Sequence, residues 1–146
     1  MNKVEIKLVK YSEYFTQINS IRIAVFQEEQ GVPAALEFDG KDATAQHLLA
    51  YLNGKPVGTS RIRKLDENVV KIERLAVIPT ARGKGIANQL MATALELISS
   101  QNYSQVMIHS QEYIKRLYEK LGFEQVGNPF EEAGIPHVKM IKFLGN

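Results

Sequence analysis

Val4, Ile6 and Leu8 alternate with Glu5 and Lys7, the period-two pattern of a half-buried strand. Ser12 then predicts the cap of a helix carrying Ile18, Ile21 and Val25, with a break near Ser20 and a stop at Gly31-Val32-Pro33. Residues 33 to 44 show no period and read as a loop, with Glu37, Asp39 and Asp42 set around Gly40. Three strands follow as an antiparallel meander: His47 to Leu52, Val57 to Lys64 and Val69 to Ile78. Asn53-Gly54 is a strong signal for a two-residue turn between the first two, and Asp66-Glu67-Asn68 turns the chain into the third.

Pro79 ends the meander. Beyond it Ile86, Leu90, Ala94, Leu97 and Ile98 fall on one face of a helix. Val106 to His109 reads as a short buried strand, and Ser110 as the N-cap of a helix carrying Ile114, Leu117 and Leu121. Gly122 is placed to close that helix in the left-handed conformation. Phe123 to Val126 and His137 to Leu144 complete the pattern as two strands. The order β-α-βββ-α-β-α-β-β has no repeat, linker or low-complexity stretch. It predicts one α/β domain over residues 1 to 146, built on a mixed sheet.

Composition narrows the chemistry. The 146 residues include no cysteine, which excludes disulfides, cysteine-ligated zinc and a cysteine acyl-enzyme. The 18 basic and 16 acidic residues give a net charge of +2, too small an excess for a phosphate-backbone partner. No apolar run approaches the ~20 residues that span a bilayer. The polar start Met1-Asn2-Lys3 leads into a strand pattern and not into a signal-peptide core. The expectation is a cytoplasmic protein with neither nucleic acid nor membrane as partner.

The stretch from Leu75 to Ala87, LAVIPTARGKGIA, is the most informative in the chain. A strand ends, a turn rich in glycine and basic residues follows, and an amphipathic helix begins. Gly83 and Gly85 let backbone N–H groups approach an anion with no Cβ between. The helix start adds unpaired donors and a partial positive charge, and Arg82 and Lys84 add formal charge. The reading is a phosphate or pyrophosphate site; the alternative is a plain strand-to-helix turn with solvated basic residues. Two other phosphate loops are ruled out. Lys84 is followed by Gly85 and Ile86, so there is no G-x-x-x-x-G-K-S/T, and Asn88 breaks G-x-G-x-x-G.

Arg82-Gly83-Lys84-Gly85-Ile86-Ala87 has arginine, then glycine three residues on, then alanine two further. This spacing resembles the acetyl-CoA-binding motif of the GCN5-related N-acetyltransferases (GNAT acyltransferases). Leu117 to Phe123, LYEKLGF, resembles a second element of that superfamily, in the same order and spacing. Val25 to Pro33, Glu37-Phe38-Asp39, His47-Leu48 and Glu132 to His137 extend the match over residues 21 to 141 and resemble the ElaA/YjcF-like subgroup. Pro136-His137 also resembles the C-terminal region of glyphosate N-acetyltransferase.

The resemblance implies an α+β fold: a mixed, mostly antiparallel sheet flanked by helices. It implies direct transfer of an acetyl group from acetyl-CoA, the acyl-donor co-substrate, to a primary amine in a ternary complex, with no metal. It assigns the pantetheine arm to the backbone of Leu75, Ala76 and Val77, where an amide adds like a short extra strand. It assigns the pyrophosphate to residues 82 to 87. His109-Ser110-Gln111 stands where the subgroup commonly has Asn-Ala-Gln, which puts His109 at a cofactor-facing position with changed hydrogen bonding. Many relatives are dimers, so a homodimer fits the family, although the residues themselves set no oligomeric state.

A free alkyl amine has a pKa near 10 and a thiol about 8.5, so transfer needs a base near the acceptor and an acid near the sulfur. The resemblance makes Tyr118 the acid. Taken alone, a tyrosine beside Ile114, Leu117 and Leu121 reads first as core packing, and it is the motif that reverses this. His137 is a candidate base, since imidazole titrates near neutrality and Pro136 fixes the backbone before it. A structural histidine at a strand start is the alternative. Glu73, on the strand leading into the turn, competes as base; its other reading is an ion pair with Arg61, Arg63 or Arg74. Glu37, His47 and Arg74 are the candidates for the acceptor pocket. The acidic residues Glu37, Asp39, Glu131 and Glu132 hint at a cationic acceptor: a small amine, an amino sugar, a polyamine or a protein lysine. An enzyme is the leading reading. The alternatives are a degenerate domain that binds acyl-CoA as a sensor or interaction module, and an unrelated nucleotide-binding domain.

Overall fold

The computed structural model describes residues 2 to 145. Its frame is a seven-stranded sheet in the order β1-β2-β3-β4-β5-β7-β6. In its first half β1 (Val4–Val9), β2 (Gln46–Leu52), β3 (Lys55–Lys64) and β4 (Val69–Val77) pair antiparallel in sequence. Asn53 and Gly54 take φ of 51° and 83° between β2 and β3, the left-handed pair that an Asn-Gly turn supplies at low cost. In the second half β7 (Ile135–Phe143) lies antiparallel between β5 (Gln105–Gln111) and β6 (Glu124–Glu132). One short parallel contact joins the halves. β4 and β5 pair only at Val69, Val70 and Lys71 against Gln105, Val106 and Met107.

Helices cover both faces. On one, α1 (Tyr11–Arg22) continues into a π-helical segment, Ile23–Glu29, and buries Ile18, Ile21 and Val25 against Val9, Leu49 and Ala76. On the other, α3 (Ile86–Ser99) buries Ile86, Leu90, Met91, Ala94 and Ile98 against Leu48, Ala50, Ile62 and Val106. Leu48, Leu49 and Ala50 therefore face alternate layers, as a strand buried on both sides must. Two short helices, α2 (Ala34–Glu37) and α4 (Lys115–Glu119), sit near the gap between the halves.

The alternation in β4 is broken on purpose. Ile72 faces the α3 layer, and so do Leu75 and Val77, although an unbroken strand would send Ile72 and Leu75 to opposite faces. Thr59 pairs with Ala76 and Arg61 with Glu73, so Ser60 alone opposes both Arg74 and Leu75. This is a β-bulge, and Arg74 bears it at φ 53°. The bulged strand bends where its pairing with β5 has ended, and a cleft opens between β4 and β5.

Several predicted boundaries are corrected. Ser12 does not cap α1. The turn out of β1 is made at Lys10, whose extended backbone accepts the N–H groups of Glu13 and Tyr14. The irregularity falls at Tyr14 and from Ile23 onward, not at Ser20. Residues 34 to 37 are helical within the expected loop, because Pro33 and Ala34 carbonyls capture the N–H groups of Leu36, Glu37 and Phe38. Ser110 caps no helix: it pairs with Val138 in the sheet, and a 3₁₀ turn from Glu112 precedes α4. Sheet pairing outweighs its capping propensity. Gly122 does close the α4 region, at φ 95°. β6 and β7 are longer than expected and meet at Ala133-Gly134, with φ of 52° and 77°.

Candidate active site

The cleft between β4 and β5 has a volume of about 470 Å³. Its walls come from elements far apart in sequence: Glu73, Arg74 and Leu75 of β4, His109 of β5, Tyr118 of α4 and His137 of β7. Phe26 and Val32 close it from the side of the π-helical segment.

Tyr118 is both core and cleft. Its ring packs edge-on against Phe123 at 6.3 Å between centroids, and the N–H groups of Leu121 and Phe123 donate to its carbonyl. The residue is only 8% exposed, and burial, helped by nearby Tyr113, pushes the hydroxyl pKa up to about 12. Among the described residues no side chain or carbonyl accepts from that hydroxyl. Tyr118 is thus a proton-bearing donor on the wall of the cleft at neutral pH.

His137 is buried at the start of β7. Its Nδ1 lies 2.7 Å from the Ile135 carbonyl oxygen. A carbonyl only accepts, so Nδ1 carries the hydrogen, and Nε2 of the neutral ring keeps its lone pair. Phe130 stacks on the ring at 6.2 Å and 28°. Nε2 is 3.8 Å from Oε2 of Glu132.

Glu73 is surrounded by cations. Its Oε2 accepts from Arg61 Nε at 2.8 Å and Arg63 Nε at 2.6 Å, and Lys71 Nζ lies 3.2 Å from Oε1. Burial would raise its pKa, but the Arg63 hydrogen bond and the charges of Arg61 and Lys71 outweigh that and bring it to about 2. Arg61, fully buried, also binds Asp39 at 2.7 Å and Asp42 at 2.9 Å, and Asp42 binds Arg22 at 2.6 Å. This network carries structure. A carboxyl with a folded pKa below its unfolded one stabilises the fold above the unfolded value, and that stability is lost as pH falls. For Glu73 the window runs from about 4.5 down to about 2 and is worth about 3 kcal/mol. Glu73→Gln is expected to destabilise the protein by about 3 kcal/mol at neutral pH and to flatten the acid limb of its stability curve. Urea unfolding at pH 7 and pH 3 measures both.

A second, shallower cavity of about 200 Å³ lies at the glycine turn, lined by Val77, Gly83, Gly85 and Asn88. The N–H groups of residues 83 to 88 find no backbone carbonyl; the first to do so is Gln89, donating to Gly85 at 3.0 Å. Gly83 and Gly85 have φ of 79° and 76°, and a Cβ on either would meet nothing within 4 Å. Six donors without a backbone acceptor thus cluster at the start of a 14-residue helix, with open space beside Gly83 and Gly85. Lys84 has no carboxylate partner among the described residues. Arg82 departs from the expected role of a free charge: its guanidinium spans the Val77 carbonyl at 3.0 Å and Glu29 at 2.6 Å. Its task is to brace the turn against the π-helical segment. Between cleft and turn, the β5-facing edge of Leu75 to Val77 has no strand partner.

The acetyltransferase (GNAT) domain family matches residues 12–144. The uncharacterized N-acetyltransferase YjcF of Bacillus subtilis is 30% identical over 136 residues, 92% of this chain and 96% of its own length. ElaA of Escherichia coli is 34% identical over 127 residues, 84% of this chain and 82% of its own. The crystal structure of Escherichia coli ElaA superposes with a TM-score of 0.87 over 96% of this chain and 99% of that one, at 30% identity. An acyl-CoA N-acyltransferase from Pseudomonas aeruginosa gives 0.84 over 97% and 99%, at 27% identity. The chain belongs to the GNAT N-acetyltransferase family.

This GNAT domain brings Glu37, Glu73, Arg74, Leu75, His109, Tyr118 and His137 to the cleft and sets most of the other predicted site residues around the glycine turn, and His47 stands apart from both. His47 is fully buried on the far side of the Arg61 network and lines no part of the cleft. Its Nε2 donates to the Asp42 carbonyl at 2.9 Å, its ring packs on Tyr11 at 5.1 Å, and burial lowers its pKa. It is a neutral core histidine, because strand pairing fixes it among buried groups. Glu37 touches the cleft but is 1% exposed and accepts from Arg22 Nε at 2.7 Å. Arg74 donates to the Glu37 carbonyl at 3.0 Å and to Asp39 at 3.2 Å. Glu37, Asp39 and Arg74 therefore tie α2 to β4. The acidic loop is internally neutralised and offers no free anionic pocket of Glu37 and Asp39 for a cationic acceptor.

Lys71 and Arg63, both on the cleft wall, went unremarked in the sequence as site residues. Their signal is the meander register, which sets Arg63 opposite Lys71 and Arg61 opposite Glu73. No helix among the described residues is long and apolar enough to cross a membrane. No group of three or more His, Cys, Asp or Glu is placed to hold a metal among them.

Proposed function

We propose that this GNAT domain transfers acetyl from acetyl-CoA to a primary amine by direct attack in a ternary complex. The observation that carries the reading is continuity. The six-donor turn, the unpaired edge of Leu75 to Val77 and the cleft bearing Tyr118 and His137 lie in sequence along one side of β4. The turn suits a pyrophosphate in charge and in space, and the strand edge suits the amides of pantetheine. Bound there, acetyl-CoA supplies an activated thioester carbon. The chain's own part is to hold, orient and move protons. His137 Nε2 takes a proton from the acceptor nitrogen. Tyr118 donates to the sulfur as negative charge gathers on it. With its pKa at about 12 against about 8.5 for a thiol, complete transfer from Tyr118 is uphill by roughly 5 kcal/mol. Its contribution is therefore a strong hydrogen bond to the departing thiolate, completed by proton uptake from water.

The test is release of free thiol from acetyl-CoA that depends on an added amine, run across small amines, amino sugars, polyamines and lysine peptides. Gly85→Val probes the turn. It forces a β-branched residue to φ 76°, at about 1–2 kcal/mol of strain, and projects a side chain into the space before the donors. CoA affinity is expected to fall at least tenfold by calorimetry, while Arg82→Ala, whose guanidinium already serves Glu29, costs less. Unchanged CoA affinity in Gly85→Val would remove the turn from the site.

A further inference from the structure

Acylation of an ammonium group releases two protons from nitrogen. In the net balance the CoA thiol takes up one, by way of water, and the other remains in bulk water, so protons leaving nitrogen must reach solvent. His137 is poorly placed to deliver them alone, with a side chain only 10% exposed. Glu132, at the tip of the β6–β7 hairpin, has a side chain 47% exposed and Oε2 3.8 Å from His137 Nε2. Its other oxygen, Oε1, lies 3.0 Å from His109 Nδ1. A carboxylate only accepts, so Nδ1 of His109 carries the hydrogen and donates it. Lys71 Nζ, 3.4 Å from the same nitrogen, then has no acceptor there and turns to Glu73. Phe130 fixes the arrangement, with His137 stacked on its ring and His109 at 5.0 Å in an edge contact. Three adjacent strands thus hold one carboxylate between two histidines and solvent.

We infer that Glu132 is a positioning and proton-exit residue for His137, and that His109 holds its carboxylate in line. The inference rests on the reading of His137 as the base. The proton leaves the acceptor nitrogen for Nε2 and makes an imidazolium whose N–H faces Oε2. It crosses to Oε2 through one water or a small swing of the side chain. The carboxyl then gives it to bulk water, and carboxylate and neutral imidazole are restored. Glu132 is a transient carrier, since the hydrogen bond from His109, working against burial, holds its pKa below the ordinary carboxylate range. This gives His109 a place in the reaction on the acceptor side of the cleft.

The titratable groups that share the cleft wall with His137 include Glu132 from β6, His109 from β5, Lys71 and Glu73 from β4 and Tyr118 from α4, and Lys139 lies two residues along β7. Of these, Glu132 is the anion nearest Nε2. The experiment is the pH profile of kcat/KM for wild type, Glu132→Gln, Glu132→Asp and His137→Ala, with CoA affinity and thermal unfolding as controls. Glu132→Gln is expected to bind CoA normally, to lose roughly tenfold in kcat/KM, and to move the acid limb to lower pH, because the imidazolium loses a nearby anion. Added imidazole buffer at fixed pH should restore part of that rate and leave wild type unchanged, and Glu132→Asp should recover most of it. A Glu132→Gln enzyme with wild-type rate and an unmoved limb overturns the proton exit while His137→Ala still abolishes the limb. If His137→Ala keeps the limb, the base assignment fails and the exit route fails with it.

Discussion

Tyr118→Phe is expected to lower kcat by about 10²–10⁴-fold while CoA affinity and melting temperature stay near wild type. The variant keeps the ring, so the edge contact with Phe123 and the fill beneath α4 survive. It removes only a hydroxyl that no other described residue engages, so no buried partner is orphaned. What is lost is the donor that meets charge gathering on sulfur. The loss should therefore appear in kcat and kcat/KM together, the mark of an interaction made in the transition state. The dependence on leaving group supplies a second check. A more acidic thiol needs the donor less, so an aryl thioester analogue should narrow the gap between wild type and variant. Wild-type kcat in a folded Phe variant would return Tyr118 to the core.

Local chemistry made much of the fold readable. The meander, the Asn53-Gly54 turn, α3 and the closure at Gly122 each follow from a few neighbouring residues. Where the reading failed, distant partners overrode local preference. Ser110 has the chemistry of a cap, but Val138 claims it for the sheet. The β6–β7 hairpin was hidden because Gly127-Asn128-Pro129 bulge out of register between the pairs Val126–Lys139 and Phe130–His137. The bulge in β4 shows in the sequence only as a broken period: apolar residues at 70 and 72, then 75 and 77, slip a period of two by one residue.

The site divides in the same way. Tyr118, His137 and the glycine turn are singled out by motif likeness alone, because cleft walls drawn from several elements leave no local period. The commitments of charged side chains were not legible. Arg82 meets a glutamate 53 positions earlier, and Arg61 reaches back to Asp39 and Asp42 across 22 and 19 positions. A count of charges cannot tell which are free, and only the register and packing show that Glu37 and Asp39 are spent on their own protein.

His137→Ala is expected to remove most turnover, by about 10²–10⁴-fold, and with it the rise of kcat/KM through roughly pH 6 to 7.5. The argument is one of driving force. Imidazole as a group titrates near neutrality, so taking a proton from an alkyl ammonium, pKa about 10, is uphill for it by only a few kcal/mol. Moving it to Glu73, whose pKa is about 2, is uphill by roughly 11 kcal/mol. Glu73 also has its oxygens occupied by Arg61, Arg63 and Lys71, so an incoming proton would have to displace a cation. His137 Nε2 makes no hydrogen bond to any described residue, and the carboxylate of Glu132, 3.8 Å away, can only accept. The two variants should therefore fail differently. His137→Ala should stay folded and bind CoA yet turn over slowly, whereas Glu73→Gln should lose stability first and retain activity in its folded fraction. Measuring both at low temperature, with the folded fraction fixed by circular dichroism, separates these losses. A folded Glu73→Gln that is slower than His137→Ala, with the neutral limb intact in the alanine variant, would move the base to the β4 carboxylate or to a water that it holds.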